Sequence, residues 1–190
     1  MNRLSKSNTL FEYSEGLQKS NVDSNGEILQ QMIQSNKALI SLIDSIPVVF
    51  YLFSYIDLSV KYVSIPQLSK LYRYSEEQMR QLINEKGMYL SFENMHPADF
   101  KILTVDCHNL SQEIVKDIPF ELREKIKYSN NYRINRGDGT EGKVLSQFCV
   151  AVNPDTGLPA YGIGTLTDIT EQKKDNKIIF KAEFYDELQG

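Results

Sequence analysis

Two histidines and two cysteines are the first candidates for metal or nucleophilic chemistry in this 190-residue sequence. They are His96, His108, Cys107 and Cys149. A metal site usually needs His, Cys or carboxylate partners at short helical spacing. Cys107 and His108 are adjacent, so on a helix their side chains diverge and cannot bind one ion from one face. The pattern therefore favours neither a metal site nor haem ligation.

The remaining patterns do not indicate an enzyme. Cys107 lies on the apolar face of a predicted helix and Cys149 lies in mid-strand, so we interpret both as small buried core thiols. A hydrolytic triad needs a nucleophile, a base and an orienting acid, and no nucleophile elbow accompanies the two histidines. Gly137-Asp138-Gly139 and Gly162-Ile163-Gly164 both lack the G-x-x-x-x-G-K pattern of a phosphate loop.

Composition restricts the partners of the chain. The net charge is −4, the isoelectric point is about 5.3, and no basic helix is present, so we expect no direct binding of nucleic acid. No apolar run approaches the length of a membrane span, and the N-terminus lacks an apolar signal core. With two cysteines and no C-x-x-C, a cytoplasmic location is expected.

The N-terminal part of the chain divides into a polar tail and a helix. Residues 1–26 are rich in Ser, Asn and charge, whereas residues 27–45 repeat apolar side chains at helical spacing, interrupted by Asn36. This apolar stripe either packs on the sheet of its own domain or pairs with its copy in a second chain, where Asn36 would set the register. We expect the chain to self-associate as a homodimer.

The elements that follow are grouped as two strands, several helices and three strands. The strands are predicted at 48–56, 60–64, 128–135, 143–152 and 158–169, and the helices begin at Pro66, Glu76 and Pro97, the last running to about Val115. This grouping favours an α+β fold with an antiparallel sheet and helices on one face. Residues 176–190 fit a strand and a helix equally well.

The stretch from Tyr161 to Lys174 ends a strand and predicts a helix directly after it. Asp168 and Glu171 have capping-box spacing, and Thr170 is a second candidate for the N-cap. A strand that runs into an axial helix with almost no loop can transmit strain from a sheet. We therefore predict that Asp168, Ile169 and Thr170 relay a signal.

Five stretches resemble the motifs of PAS domains, the sensory modules of bacterial signalling proteins, in the order of that family. Arg73 departs from the pattern, since the family usually has Gly at that position. The stretches are Tyr62-Val63-Ser64, Leu71 to Glu77, His96-Pro97-Ala98-Asp99, Tyr132-Arg133-Ile134 with Gly137-Asp138-Gly139, and the ending from Gly164 to Lys173.

The resemblance implies a five-stranded antiparallel sheet of order 2-1-5-4-3 with a hollow beneath the helices. It places a sensory domain at 46–170 and a linker towards a missing effector at 171–190. The insert at 116–129 and the Ser146-Gln147 pair resemble PAS modules that precede a LuxR-type helix-turn-helix, with a histidine kinase or diguanylate cyclase as alternative effectors. A dimerisation module without ligand is a further alternative. The family's flavin-linking cysteine motif does not surround Cys107, so no cofactor is evident.

The predicted pocket lies between the helix that begins at Pro97 and the sheet. Its candidate residues are aromatic or aliphatic, with a few hydroxyl groups and no charge, which suits an uncharged or weakly polar small molecule. Alternatively, these side chains interdigitate and fill the space as an ordinary core. The candidates are Phe100, Leu103 and Cys107 on the helix, and Phe50, Leu52, Tyr62, Tyr132 and Phe148 on the strands.

Overall fold

The computed structural model describes Gln31, residues 35–153, Thr156 and residues 158–184. The predicted tail and most of the first half of the predicted N-terminal helix lie outside these residues. The helices are α1 Lys37–Ser45, α2 Ile65–Tyr72, α3 Glu76–Lys86, α4 Tyr89–Asn94, α5 Pro97–Lys101, α6 Cys107–Val115 and α7 Phe120–Arg123, with a π-helical turn at Ile102–Asp106. The strands are β1 Val49–Ser54, β2 Val60–Val63, β3 Ile126–Asn135, β4 Glu141–Val152, β5 Pro159–Asp168 and β6 Phe180–Phe184.

The strands form one antiparallel sheet in the order β2-β1-β5-β4-β3-β6. Its first five positions have the predicted order 2-1-5-4-3, and helices α2 to α6 lie over one face, so the α+β architecture is confirmed. We call the face beneath these helices the inner face and the opposite one the outer face. The sixth strand, β6, was not predicted as part of the sheet.

The phase of β1 decides which of its side chains face the helices. Tyr51 pairs with Gly164 and Phe53 with Gly162, and these residues all lie on the inner face. Phe50 and Leu52 therefore lie on the outer face, because successive side chains of a strand point to opposite sides. There they form a second apolar cluster with Tyr161 and Ile40.

Asn36 interrupts the N-terminal helix rather than continuing it. The Leu39 amide donates to Asn36 Oδ1 at 3.0 Å, so Asn36 is the N-cap of α1 and the predicted unbroken helix 27–45 is wrong at this point. Ile40 packs on the outer face, and the Gln67 side chain donates to the Asp44 carbonyl at 2.7 Å. Helix α1 thus packs on the sheet of its own domain, which was the first of the two predicted alternatives.

Helix α2 ends at Arg73 and helix α3 begins after Ser75, within the stretch that resembles the PAS motif. Local contacts stabilise both ends, although Arg73 stands where the motif usually has Gly. Ser75 and Gln78 form a capping box at the start of α3, the helix predicted to begin at Glu76. Arg73 ends α2 in the left-handed conformation, at φ 57°, which glycine adopts without steric cost. Its guanidinium donates to Asp138 and Thr140, which ties the strained residue to the β3–β4 turn.

The helical run 97–115 contains one π turn, and this turn changes the predicted face. The Cys107 amide donates to the Ile102 carbonyl five residues earlier, which inserts one extra residue into the helix. Phe100, Leu103 and Cys107 face the sheet as predicted. After the π turn His108, Ser111 and Val115 also face inward. Leu110, which continues the apolar spacing of Leu103 and Cys107 in the sequence, is 49% exposed.

The chain after Asp168 does not form the predicted helix. The amides of Gln172 and Lys173 donate to the Ile169 carbonyl and close a single turn. The Lys143 ammonium then donates to the carbonyls of Lys173, Lys174 and Asp175, so these groups are engaged by a side chain rather than by a continuing helix. The segment that the sequence assigned to a linker contains strand β6, which pairs with β3.

Candidate functional site: a cavity between the helices and the sheet

A cavity of about 710 Å³ separates the helices from the inner face of the sheet. Its lining is mostly apolar, with a small number of hydroxyl and amide groups, which is the usual character of a small-molecule site. The predicted alternatives for this region were a filled core and a pocket, and the described residues leave a hollow. The walls come from the inner face of the sheet, with residues from all six strands, from the helical run 97–115, and from helices α2, α3, α4 and α7.

Two glycines of β5 shape the sheet wall. A Cβ at Gly162 would lie 2.5 Å from the Phe53 ring, and a Cβ at Gly164 would lie 2.7 Å from the Tyr51 hydroxyl. Real Cβ atoms do not approach other atoms so closely, so only glycine lets these rings lie across β5.

Five of the eight predicted pocket residues line the cavity: Phe100, Leu103, Cys107, Tyr132 and Phe148. The other three, Phe50, Leu52 and Tyr62, lie on the outer face and are corrected accordingly. For Phe50 and Leu52 the error arose because the stretch 48–56 is apolar in both phases, so its alternation could not identify the inward residues. Tyr62 pairs with Leu52 across β1 and β2 and therefore lies on the same outer face. Val49, Tyr51 and Phe53 take their place.

Buried phenols form the polar part of the lining near α2. Tyr51 and Ser146 bring their hydroxyl oxygens within 3.4 Å of each other. Burial raises the pKa of Tyr51 to about 12, although the contact with Ser146 lowers it. Burial raises the pKa of Tyr132, and the neighbouring Tyr72 and Tyr51 phenols raise it further. All three phenols are therefore protonated at neutral pH and act as hydrogen-bond donors or acceptors without charge.

Tyr72 differs from its neighbours, because its hydroxyl is buried without a partner. The residue is 2% exposed, and its oxygen has no hydrogen bond to any described residue. Burial raises its pKa as well. A buried hydroxyl group without a partner is unfavourable, and such groups in folded proteins need an explanation.

A buried ion pair holds the helical wall against the sheet. The Asp99 carboxylate accepts from the Arg133 guanidinium and from the Arg133 amide at 2.8 Å, which joins α5 to β3. Burial raises the pKa of Asp99, but the hydrogen bonds from Arg133 outweigh this and lower it. His96 accepts from the Ala98 amide at 3.2 Å, so it anchors the start of this helix.

The predicted relay residues, Asp168 to Thr170, lie at the C-terminal end of β5 and do not line the cavity. Asp168 accepts from the buried Arg136 guanidinium, and Thr170 accepts from the Lys143 amide at 3.0 Å. The Ile169 amide donates to the Lys143 carbonyl at 2.8 Å. These contacts fasten the end of β5 to β4 and to the β3–β4 connection, so the segment that follows starts from a fixed point.

Phe180 is a site residue that the sequence analysis missed. It belongs to β6, lines the cavity, and has its ring centroid 6.2 Å from that of Tyr128. Asn131 holds the approach to β6 by donating to the Lys177 carbonyl and accepting from the Ile179 amide. The alternation of Ile178, Phe180, Ala182 and Phe184 was a usable signal, but a helical spacing fitted the same residues.

The other candidate residues show no cluster that could carry metal chemistry. Among the described residues, no group of three or more His, Cys, Asp or Glu side chains could hold a metal ion. Cys107 is buried as predicted, but Cys149 is exposed, because it faces outward from β4 where no helix of the described chain covers it. In the part of the chain that is described, no helix has both the length and the apolar character that crossing a membrane requires.

The resemblance implied this strand order, a helical layer on one face and a hollow beneath the helices. The structure has all three features. The fold is PAS-like. No family model matches the sequence, and no curated protein does either.

Solved structures with a similar fold include several PAS domains. The N-terminal domain of a diguanylate cyclase with PAS/PAC sensor from Marinobacter aquaeolei is 17% identical, with a TM-score of 0.48 over 66% of this chain and 97% of that one. A PAS domain from Colwellia psychrerythraea is also 17% identical, with a TM-score of 0.48 over 76% and 99%. A sensory box histidine kinase/response regulator from Burkholderia thailandensis is 19% identical, with a TM-score of 0.47 over 73% and 87%. The PAS-like assignment rests on the topology of the sheet.

Proposed function

We propose that this chain is a sensory domain that binds a small, largely apolar molecule in the cavity and relays its presence to a C-terminal effector. The observation that carries the proposal is the 710 Å³ cavity itself, because a PAS-like core of this size would otherwise bury side chains against each other. The sensory unit spans 46–170 in this proposal, and the segment 171–190 connects it to the effector. No catalytic role is proposed for any residue.

The route of the signal begins at Phe180. This residue belongs both to the cavity wall and to the C-terminal strand, so a ligand that contacts it changes the packing of β6 on β3. Asp168, Ile169 and Thr170 hold the other end of the connecting segment, and the strand moves relative to that fixed end. A ligand shifts the equilibrium between two such packings only by its difference in affinity for them.

For the effector, we propose a LuxR-type helix-turn-helix, which makes the whole protein a transcriptional regulator. A histidine kinase or a diguanylate cyclase is the alternative effector, and the same relay would transmit the signal to it. Dimerisation without a ligand is the candidate from another class, favoured by the exposed apolar side chains on α1, of which Leu42 is 59% exposed. The homodimer stays a prediction.

The test compares the native protein with Leu103→Trp and a matched control. Leu103 borders the cavity, so a Trp there enters the hollow, and we expect the fold to be retained while ligand binding is lost. Leu110→Trp adds the same volume at an exposed site on the same helical run and should keep the ligand. The measurements are circular dichroism, urea unfolding, and mass spectrometry of small molecules released from the purified protein.

Hydrogen exchange of residues 180–184 tests the relay in the same samples. We expect slower exchange in the native complex than in Leu103→Trp, because a bound molecule supports Phe180 from inside. If Leu103→Trp unfolds and no molecule is released from the native protein, the cavity is not a ligand site, and the dimerisation module becomes the better function.

A further inference from the structure

The charged side chains that line the cavity are positive, and this restricts the chemistry of the ligand. Among the described residues of the lining they are Lys101 and Arg123, and no aspartate or glutamate is present. A cleft with apolar walls and charges of one sign attracts ligand groups of the opposite sign. This inference rests on the proposed function, because it concerns the molecule that the same cavity binds.

Arg123 uses only one side of its guanidinium group within the protein. Its Nε–H donates to the Ile118 carbonyl at 3.0 Å, which orients the half-buried side chain. The two terminal nitrogens, Nη1 and Nη2, have no acceptor among the described residues, and neither belongs to the fully buried polar atoms without a partner. These N–H groups are therefore accessible to a molecule in the cavity.

The charged end of Arg123, and not only its apolar stem, lies near the lining. Burial raises the pKa of Tyr128, and the positive charge of Arg123 acts against this shift. The Tyr128 ring stacks on Phe148 with the ring centroids 5.3 Å apart, and its centroid is 6.2 Å from that of Phe180. Arg123 thus lies at an aromatic end of the cavity, beside the strand β6 that contributes Phe180.

The neighbouring side chains do not replace a ligand at Arg123. Glu124 accepts from the Val152 amide at 3.1 Å and does not line the cavity, and no described acidic residue forms an ion pair with Arg123. Lys101 is exposed, so its ammonium group can stay in water. A wholly apolar ligand would remove water from the Arg123 N–H groups without replacing it, which is unfavourable.

We propose that the cavity takes an amphiphilic monocarboxylate, with its apolar body between the helical run 97–115 and the sheet and its carboxylate paired with Nη1 and Nη2 of Arg123. The planar guanidinium matches the two oxygens of a carboxylate, and such a pair forms two parallel charge-assisted hydrogen bonds. One guanidinium balances one negative charge, which favours a carboxylate over a doubly charged phosphate monoester. The carboxylate then lies near Phe180, where the proposed relay begins.

Decanoate and decan-1-ol test this assignment, because they share an apolar chain and differ in the terminal group. Their dissociation constants are measured by displacement of N-phenyl-1-naphthylamine, a neutral fluorescent probe whose own affinity is determined for each protein. The proteins are the native chain, Arg123→Gln, Arg123→Lys and Lys101→Gln. Lys101→Gln is the matched control, since it removes the other cation of the described lining.

The expected result is a preference of the native protein for decanoate that depends on Arg123. The ratio of decanol to decanoate dissociation constants should fall about tenfold in Arg123→Gln, as for the loss of a hydrogen bond to a charged group, and should stay unchanged in Lys101→Gln. Arg123→Lys keeps the charge but not the planar group, so the ratio should fall less. The affinities for decan-1-ol and for the neutral probe should be equal in all four proteins, which shows that the cavity is intact in each.

The failures can be told apart. If the native protein binds the probe and decan-1-ol, Leu103→Trp binds neither, and decanoate is not preferred, then the cavity is a ligand site but the carboxylate assignment is wrong. An equal fall of the ratio in Arg123→Gln and Lys101→Gln overturns the role of Arg123, and tighter binding of decyl phosphate than of decanoate overturns the choice of carboxylate. If Arg123→Gln loses the neutral probe as well, the native preference and Arg123→Lys decide. If the native protein binds none of these molecules, the inference and the proposed function fail together.

Discussion

The two faces of strand β1 carry apolar side chains of similar size, yet they meet different surroundings. On the outer face Leu52 is fully buried against Tyr161, Ala160 and the Ile40 side chain of α1. On the inner face Tyr51 and Phe53 border a cavity of about 710 Å³. The difference shows that hydrophobic side chains alone do not fill a core. On the inner face helices α2 to α4 pack on the sheet in the main apolar cluster, whereas the helical run 97–115 lies over the hollow.

The way each layer is attached differs too. Helix α1 meets the outer face through apolar contact at Ile40, and its Asp44 carbonyl accepts a hydrogen bond from Gln67 of helix α2. The helical run over the inner face is joined to β3 by the buried pair of Asp99 and Arg133 and by the backbone at His96, whose amide donates to the Arg133 carbonyl at 2.9 Å. A polar attachment can hold a helix at a distance that direct packing would close.

The largest expected effect compares Leu52→Ala with Leu103→Ala. Leu52→Ala should lower the free energy of unfolding by about 2 to 5 kcal/mol, because it opens a new void in a filled layer. Leu103→Ala should lower it clearly less, since Leu103 already borders the hollow and loses fewer contacts. Urea unfolding of both variants measures the difference. Equal losses would mean that the inner face is packed as tightly as the outer one.

The second prediction concerns the polar attachment of the inner layer and its dependence on pH. The pKa of Asp99 is lowered in the folded state, so its stabilisation is present above the unfolded pKa and is lost as the pH falls through the folded value. Asp99→Asn should lower the free energy of unfolding by about 1.5 to 3 kcal/mol at pH 7, as for a hydrogen bond to a charged group. The difference from the native protein should shrink below about pH 4.

Unfolding curves between pH 3 and pH 7 check this prediction. Asp106→Asn is the matched control, because Asp106 is an exposed carboxylate on the same helical run. It should leave the pH profile unchanged. The idea is refuted if Asp99→Asn is as stable as the native protein at pH 7, or if its deficit persists undiminished at pH 3.

The smallest effect compares alanine at two glycines of β5. A Cβ at Gly164 would lie 2.5 Å from the Gln147 carbonyl oxygen and 2.7 Å from the Phe148 Cβ, which are fixed by the sheet. A Cβ at Gly162 would meet only the Phe53 ring among its nearest atoms, and that ring borders the cavity and can move into it. Gly164→Ala should therefore cost about 1 to 3 kcal/mol, and Gly162→Ala less. Thermal unfolding measures the loss of stability in both variants. A larger loss in Gly162→Ala than in Gly164→Ala would contradict the expectation that the Phe53 ring can move into the cavity.

Much of the fold was predictable because its signals are local. The capping box at Ser75, the proline start at Pro97 and the turn at Gly137 to Gly139 mark element boundaries through backbone chemistry that acts within a few residues. The five-strand order came from the resemblance and not from these signals. The predicted helix after Asp168 failed for a non-local reason, since Lys143, far away in sequence, binds the carbonyls that the helix would have used.

The candidate site was predictable only in part. Phe100, Leu103 and Cys107 follow from helical spacing, and Tyr132 and Phe148 from strands with a readable phase. Tyr72 gave no signal, because a tyrosine near the end of a short helix resembles any amphipathic residue. Its hydroxyl is buried without a partner, and this depends on what surrounds it in space.

By itself the sequence determined the order and type of most elements and the mostly apolar character of the space between them, since propensity, capping and periodicity are properties of neighbouring residues. It did not indicate Lys101 and Arg123, which also line the cavity. Only the tertiary structure decided which face of β1 lines the cavity, how the π turn redirects the helix from His108 onward, and where the C-terminal strand lies. Those outcomes depend on strand register and on contacts between distant residues, such as Tyr51 with Gly164 and Lys143 with the 173–175 carbonyls. A local pattern that fits both faces of a strand holds no information about which face the helices will cover.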